Sequence, residues 1–151
     1  MPVCTVPSPL GPLRVSSDGS AITGLAWGTT PDADITPDLT EAATQLTAYF
    51  DGRLEDFDLP LRIAGSDLQR AVCDEMRAIP FGETRTYGDL AKRLGVSAQA
   101  IGQGCGGNPI PILVPCHRVL GASGLGGYSG AGGIETKVWL LRHEGAAGLL
   151  I

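Results

Sequence analysis

The chain is poor in the groups that build metal centres and cross-links. Its 151 residues include four cysteines, at 4, 73, 105 and 116, and two histidines, at 117 and 143. No two cysteines have C-x-x-C spacing, which argues against a structural zinc site, and a reducing compartment argues still more strongly against a disulfide framework. Free thiols and no metal are therefore expected. Long apolar runs are also missing: nothing approaches the roughly eighteen residues of a membrane span. The opening MPVCTVPSPLGPL lacks the basic and apolar regions of a secretory signal, so a cytoplasmic protein without membrane contact is expected. Positive charge is scarce too, with eleven basic against sixteen acidic side chains and a net charge of −5.

That shortage is uneven. Residues 1–66 carry three basic and nine acidic side chains, or −6; residues 67–151 carry eight and seven, or +1. Between Arg85 and Arg118 four basic residues meet a single acid, Asp89. This segment can face phosphates where the first half cannot, although ordinary scatter of surface charge would look the same.

What the sequence has in quantity is glycine (22) and proline (11), spread over many loops rather than gathered in one tract. Two regions follow, 1–64 and 65–151. In the first, LRVSS (13–17), a D-G turn and AITGLAW (21–27) predict a hairpin. LTEAATQLTAYFDG places apolar residues at 39, 42, 43, 46 and 50 of a helix that stops at Gly52, and 55–65 reads as extended. This is a small α/β module without a chemical constellation.

In the second, Ser66 caps a helix with apolar residues at 68, 71, 72, 76 and 79, ended by Pro80 and Gly82. TYGDLAKRLG (86–95) and SAQAIGQGCGG (97–107) predict two short helices joined at Gly95–Val96, a helix-turn-helix candidate. Residues 121–133 read as a glycine-rich loop, with a possible β-turn wing. It lacks the G-K-[ST] of a phosphate-binding loop. ETKVWLLRHEG predicts a last helix with Val138, Leu140 and Leu141 inward and Gly145 as its stop.

The chemistry gathers in PIPILVPCHRVLG (109–121), where an aliphatic run broken by three prolines delivers Cys116, His117 and Arg118 in succession. A free thiol ionises at about 8.5, so a nucleophilic Cys116 needs a base or cation nearby. His117 and Arg118 can supply one, and Glu144 stands out as an acid able to orient His117. Adjacent residues need not face one another, so a water bridge or a turn is required between thiol and imidazole. The alternative is a buried structural thiol beside a surface histidine.

The ordered set FGETRTYGDLAKRLG, GNPIPILVPCHRVLG and WLLRHEG, with GGYSG between, resembles the O6-alkylguanine-DNA alkyltransferase family, the methylated-DNA–protein-cysteine methyltransferases. The likeness runs from Ser66 to about Gly148. Residues 1–64 resemble, in layout alone, that family's ribonuclease-H-like N-terminal module. The fold so implied is α/β: that module plus a winged helix-turn-helix-like alkyltransferase domain. The resemblance implies repair of O6-alkylguanine by irreversible transfer of the alkyl group to Cys116, after the base has been flipped from double-stranded DNA into a pocket. His117 would take the thiol proton through a water, with Glu144 orienting it, and Tyr87 would donate toward the base. Asn108 matches the hinge before the active-site strand, while Tyr128, Ser129 and Val119 match positions that hold the base. Gln99, Ala100, Gly102 and Gln103 fall on the DNA-reading helix, which would enter the minor groove, and Arg118 is mapped as a structural or phosphate-side partner. No cofactor is implied, and a monomer is expected.

One position departs from the family. An arginine usually stands seventeen residues before the cysteine and fills the stack after flipping; here that place is Gln99, and the turn between the helices is about two residues shorter. Two further readings stay open on the residues: a non-catalytic lesion binder, whose known examples replace the cysteine, and a Cys116–His117–Glu144 hydrolase, for which no oxyanion hole is evident.

Overall fold

A computed structural model of the chain describes residues 1–146; the remaining residues, including the expected end of the likeness at Gly148, lie outside the described residues. The chain divides into two compact units, Met1–Ile63 and Ala64–Ile151.

The first unit is a three-stranded antiparallel sheet in the order β1 (Val3–Val6), β2 (Leu13–Ser17), β3 (Ile22–Trp27), with one helix, α1 (Pro37–Phe50). The predicted hairpin is β2–β3, with Val15 opposite Leu25 and a register shift at Ser16/Ser17. The edge strand β1 was not expected from the sequence, yet its alternation sends Cys4 and Val6 inward. The segment read as extended at 55–65 contributes only one parallel bridge, Leu61 to Ile22. Pro60 has no N–H to extend that ladder. Helix α1 starts two residues before the expected Leu39, with Pro37 in its first turn, and buries Tyr49 where the sequence pattern pointed to Phe50.

The second unit consists of helices around a two-residue parallel ladder. Helix α2 (Asp67–Arg77) starts at Ser66, whose hydroxyl accepts the Gln69 N–H at 3.0 Å. Its buried residues are Val72, Cys73 and Met76, whereas Leu68, predicted inward, is 39% exposed. Strand β4 (Arg85–Thr86) runs into α3 (Tyr87–Leu94), with Thr86 and Asp89 forming a reciprocal capping box. Gly95, in the left-handed region at φ 68°, ends α3, and Ser97 caps α4 (Ala98–Gly106). The expected helix-turn-helix is this pair. Helix α4 packs on α2 at Gly104, where an added Cβ would lie 2.8 Å from a Val72 methyl.

Strand β5 (Val119–Leu120) pairs with β4, Arg85 opposite Val119 and Thr86 opposite Leu120. This ladder fixes the segment after Cys116 beside the first residue of α3. Residues 121–133 form no strand, as the loop reading expected, and α5 (Ile134–His143) follows. Val138 is only half-buried; Thr136, Lys137, Leu140 and Leu141 are the buried residues of α5.

Candidate active site

Residues 109–115 form bends and a tight turn with one isolated bridge, Pro111 to Val114, and not the strand expected before the cysteine. Prolines at 109, 111 and 115 remove three of the N–H donors a strand would need. The buried Asn108 side chain ties the loop instead: its Nδ2 donates to the Val114 carbonyl at 2.9 Å, and its Oδ1 accepts the Ile110 N–H at 3.0 Å. Ile112 sits at φ 73°, a conformation β-branched residues rarely adopt, and is buried. The Cys116 N–H then donates to the Val114 carbonyl at 2.8 Å and the Arg118 N–H to the Pro115 carbonyl at 3.0 Å. Cys116 thus opens a single 3-10 turn, Cys116–Arg118.

That turn sends three successive side chains into separate surroundings. His117 is fully buried, with Nε2 2.7 Å from Glu144 Oε2. Arg118 is also buried: Nε donates to Glu144 Oε1 at 2.8 Å, Nη2 to Oε2 at 3.0 Å, and Nη1 to the Ile79 carbonyl at 2.7 Å. Of the two roles mapped to Arg118, this geometry is that of the structural partner, because the guanidinium is spent inside the fold. Although burial opposes ionisation, hydrogen bonds and charge from His117 and Arg118 hold the Glu144 carboxyl down at about 2. Burial lowers the His117 pKa, with Glu144 pulling the other way. An ionised carboxylate only accepts, so a neutral His117 donates through Nε2–H and keeps its lone pair on Nδ1. Among the described residues Nδ1 has no hydrogen-bond partner.

Cys116, 5% exposed, lies in the wall of a cavity of about 260 Å³. Tyr87 of α3 forms one side, and Gly102, Cys105 and Gly106 of α4 another. Gly127, Tyr128 and Ser129 of the loop close it. This is just below the roughly 300–1,000 Å³ of drug-sized sites, a size suited to one small group. Loop and tyrosine touch closely: at Gly126 (φ 71°) an added Cβ would come 2.8 Å from the Tyr87 hydroxyl. Burial raises the pKa of Tyr87 and of Tyr128. The Cys116 thiol is likewise raised by burial, while the Asn108 side chain and the charge of Lys137 work against that rise. Cys105 is pushed up to about 12, chiefly by burial.

Lys137 was not among the residues singled out from sequence. It is completely buried, and its ammonium donates to the Val119 carbonyl at 2.6 Å and to the Gly127 carbonyl at 2.9 Å. Its Nζ stands 5.9 Å from the centre of the Tyr87 ring. The signal was periodic: 137, 140, 141 and 144 share one helical face, and the other three positions are Leu, Leu and Glu.

The structure therefore gathers Cys116, Tyr87, Tyr128 and Ser129 at one cavity, pairs His117 with Glu144 in the buried interior next to Cys116 in the chain, and sets the Asn108 side chain against the thiol. Val119 is buried, with its carbonyl already engaged by Lys137. Gln99, Gly102 and Gln103 lie on the exposed face of α4, and Ala100 is half-buried. Cys105, Gly106 and Gly127 line the cavity without having been expected there.

The chain matches two family models: 6-O-methylguanine DNA methyltransferase, DNA binding domain, over residues 67–146, and its ribonuclease-like domain over residues 4–63. It is 43% identical to the methylated-DNA–protein-cysteine methyltransferase of Mycobacterium bovis, with 93% of this chain and 90% of that protein covered. For the protein of the same name from Methanosarcina acetivorans the identity is 40%, over 92% and 95%. The crystal structure of Mycobacterium tuberculosis OGT in complex with DNA superimposes with a TM-score of 0.85 at 44% identity, covering 97% of this chain and 94% of that one. Matches to both halves, in order and across nearly the whole length, place this chain in the methylated-DNA–protein-cysteine methyltransferase family.

Proposed function

We propose that the chain repairs O6-alkylguanine in double-stranded DNA by moving the alkyl group, once and irreversibly, onto Cys116. The observation that carries this reading is the cavity with Cys116 in its wall, backed by a buried His117–Glu144 pair whose remaining ring nitrogen is unpartnered. The thiol proton passes through a water to His117 Nδ1, and Glu144 stabilises the imidazolium that forms. The thiolate attacks the alkyl carbon bonded to O6. A C–S bond forms, the C–O bond breaks, and its electron pair stays with the guanine, which takes a proton from the Tyr87 hydroxyl. A thioether has no acyl carbon for water to attack, so no step regenerates the thiol.

DNA lies against the exposed face of α4, with Gln99 or Gln103 filling the stack and Gly102 admitting the backbone closely. Tyr128, Ser129 and the Val119 backbone hold the extruded base, and Asn108 fixes the loop that aims the sulfur. The protein works as a monomer. A reaction that consumes a free thiol suits a reducing compartment, which supports a cytoplasmic location.

Incubation with a duplex oligonucleotide carrying O6-methylguanine tests the reading by intact mass. One adduct, heavier by one methylene, is expected on the peptide containing Cys116, with none on Cys4, Cys73 or Cys105. Repair of many equivalents of DNA per protein molecule would overturn it.

A further inference from the structure

The walls of the Cys116 cavity differ in what holds them. Cys116 stands on the 3-10 turn, Tyr87 on α3, and Gly102, Cys105 and Gly106 on α4, all parts of hydrogen-bonded backbone. Gly127, Tyr128 and Ser129 belong to a loop without strand or helix, and five of the eight residues 126–133 are glycine. Glycine loses more conformational freedom on ordering than any other residue, so such a wall stays in place only where something ties it.

Two consecutive side chains of α5 tie it. The Lys137 ammonium donates to the Gly127 carbonyl at 2.9 Å, and the Thr136 hydroxyl donates to the Ala131 carbonyl at 2.5 Å, so Tyr128, Ser129 and Gly130 hang between two anchors. The Gly133 N–H, bonded to the Gly130 carbonyl at 3.1 Å, closes the far end into a turn. Thr136 is 7% exposed. Gly132, at φ 83°, is fitted to it, because an added Cβ would collide with the hydroxyl. The bond does nothing for the start of α5. A helix N-terminus has spare N–H donors in need of an acceptor, yet here the hydroxyl gives its own hydrogen to the loop, and Gly133 before the helix offers no side-chain cap. The hydroxyl is spent on the wall.

An alkyl group larger than methyl needs room between the Cys116 sulfur and one of these walls. Gly102 and Gly106 have no side chain to withdraw, and Cys105 is backed by Met76, sulfur to sulfur at 3.5 Å. The loop is the wall that can give way. We propose that Thr136 is a positioning residue that sets the size of alkyl group accepted: its hydroxyl holds the Tyr128–Gly130 wall against the cavity, so that O6-methylguanine fits and bulky O6-substituents enter slowly. A cavity of about 260 Å³ agrees with a small substituent. This inference rests on Cys116 being the alkyl acceptor.

The full chain is incubated with duplexes carrying O6-methylguanine or O6-benzylguanine, and single-turnover rates are read by intact mass. A benzyl carbon is the more open of the two to displacement by a thiolate, so slower benzyl transfer reports the wall and not the bond being broken. In the unaltered chain benzyl is expected to transfer about tenfold or more slowly than methyl. Thr136→Val keeps the shape of the side chain and removes the hydroxyl. It is expected to raise the benzyl-to-methyl ratio about fivefold, the worth of one ordinary hydrogen bond, while Thr136→Ser stays near the parent ratio. A threonine that served stability alone would lower Tm in Thr136→Val and leave the ratio in place, so an unchanged ratio in the folded variant overturns the proposal. A Thr136→Ser ratio as high as that of Thr136→Val overturns it too. So does benzyl transfer at or above the methyl rate in the unaltered chain, a comparison that needs no variant. Failure of Cys116 as the acceptor would show separately, as a missing adduct from both substrates.

Discussion

Glu144 holds both His117, at 2.7 Å from Nε2, and Arg118, at 2.8 Å from Nε, so one carboxylate orients the imidazole and neutralises the guanidinium beside it. Glu144→Gln is therefore expected to slow alkyl transfer strongly by releasing the imidazole. It also leaves Arg118 buried and unmatched, at a cost of roughly 3 kcal/mol in stability. Single-turnover transfer and thermal melting read the two effects. Parent-rate transfer by the folded variant would refute the His117–Glu144 assignment.

The same pair makes the fold labile to acid. Glu144, at about 2 in the folded protein against 4.5 when free, contributes stability that is present above about 4.5 and lost as pH falls toward 2. The full contribution is on the order of 3 kcal/mol. His117 acts in the same direction. Its folded pKa lies below 6.5, so the unfolded chain takes up that proton first and stability declines once pH drops below about 6.5. Denaturant unfolding across this range should show a steady decline toward low pH. Stability that is flat or rises on acidification would contradict a neutral buried His117 and an ionised Glu144.

Gln99 stands exposed in the first turn of α4, at the position where the family resemblance led us to expect an arginine. Gln99→Arg should tighten DNA binding and steepen its salt dependence by roughly one charge, because counterion release governs affinity for the duplex. Transfer from a free alkylguanine base needs no flipping and should hardly change. Gln103 lies one turn further along the same exposed face. If Gln103→Ala impairs duplex repair while Gln99→Ala does not, Gln103 is the residue that fills the stack.

Two glycines of α4 should respond oppositely to alanine. At Gly104 the new Cβ would meet Val72 methyls at 2.8 and 2.9 Å, so Gly104→Ala should destabilise by about 1–3 kcal/mol as α2 and α4 are forced apart. At Gly102 nothing lies within 4 Å, so Gly102→Ala should stabilise the helix by about 0.5–1 kcal/mol while weakening repair in duplex DNA. Melting temperatures and repair rates of the two variants separate packing from DNA approach; equal melting shifts would refute the contrast.

The helix-turn-helix was legible because its punctuation is chemical: Gly95 takes the left-handed stop of α3, and Ser97 caps α4 through its hydroxyl. The segment before Cys116 was not, because an apolar run reads as a strand unless its missing donors are counted. Three prolines remove those donors, and Asn108 supplies a side-chain pair in their place. Glu144 was found as an orienter of His117, but its second partner, Arg118, was hidden by the neighbouring positions of the two residues in the chain. Lys137 escaped because lysines seldom lie inside unless paired, although its place on the inward face of α5 was readable. Strand β1 is four residues near the chain's start, too short for alternation to stand out.

The Asn108 tie and the Cys116 N–H bond to Val114 lock the backbone at Cys116. A turnover enzyme can wait for a loosened site to re-form, since each molecule acts again. Under the chemistry proposed here each molecule acts once, so repair follows a titration curve whose end point counts folded, correctly tied molecules. Local opening of residues 108–118 would then subtract from the number of lesions a cell can clear, and not merely from the speed of clearing them. The unit of capacity is the intact turn.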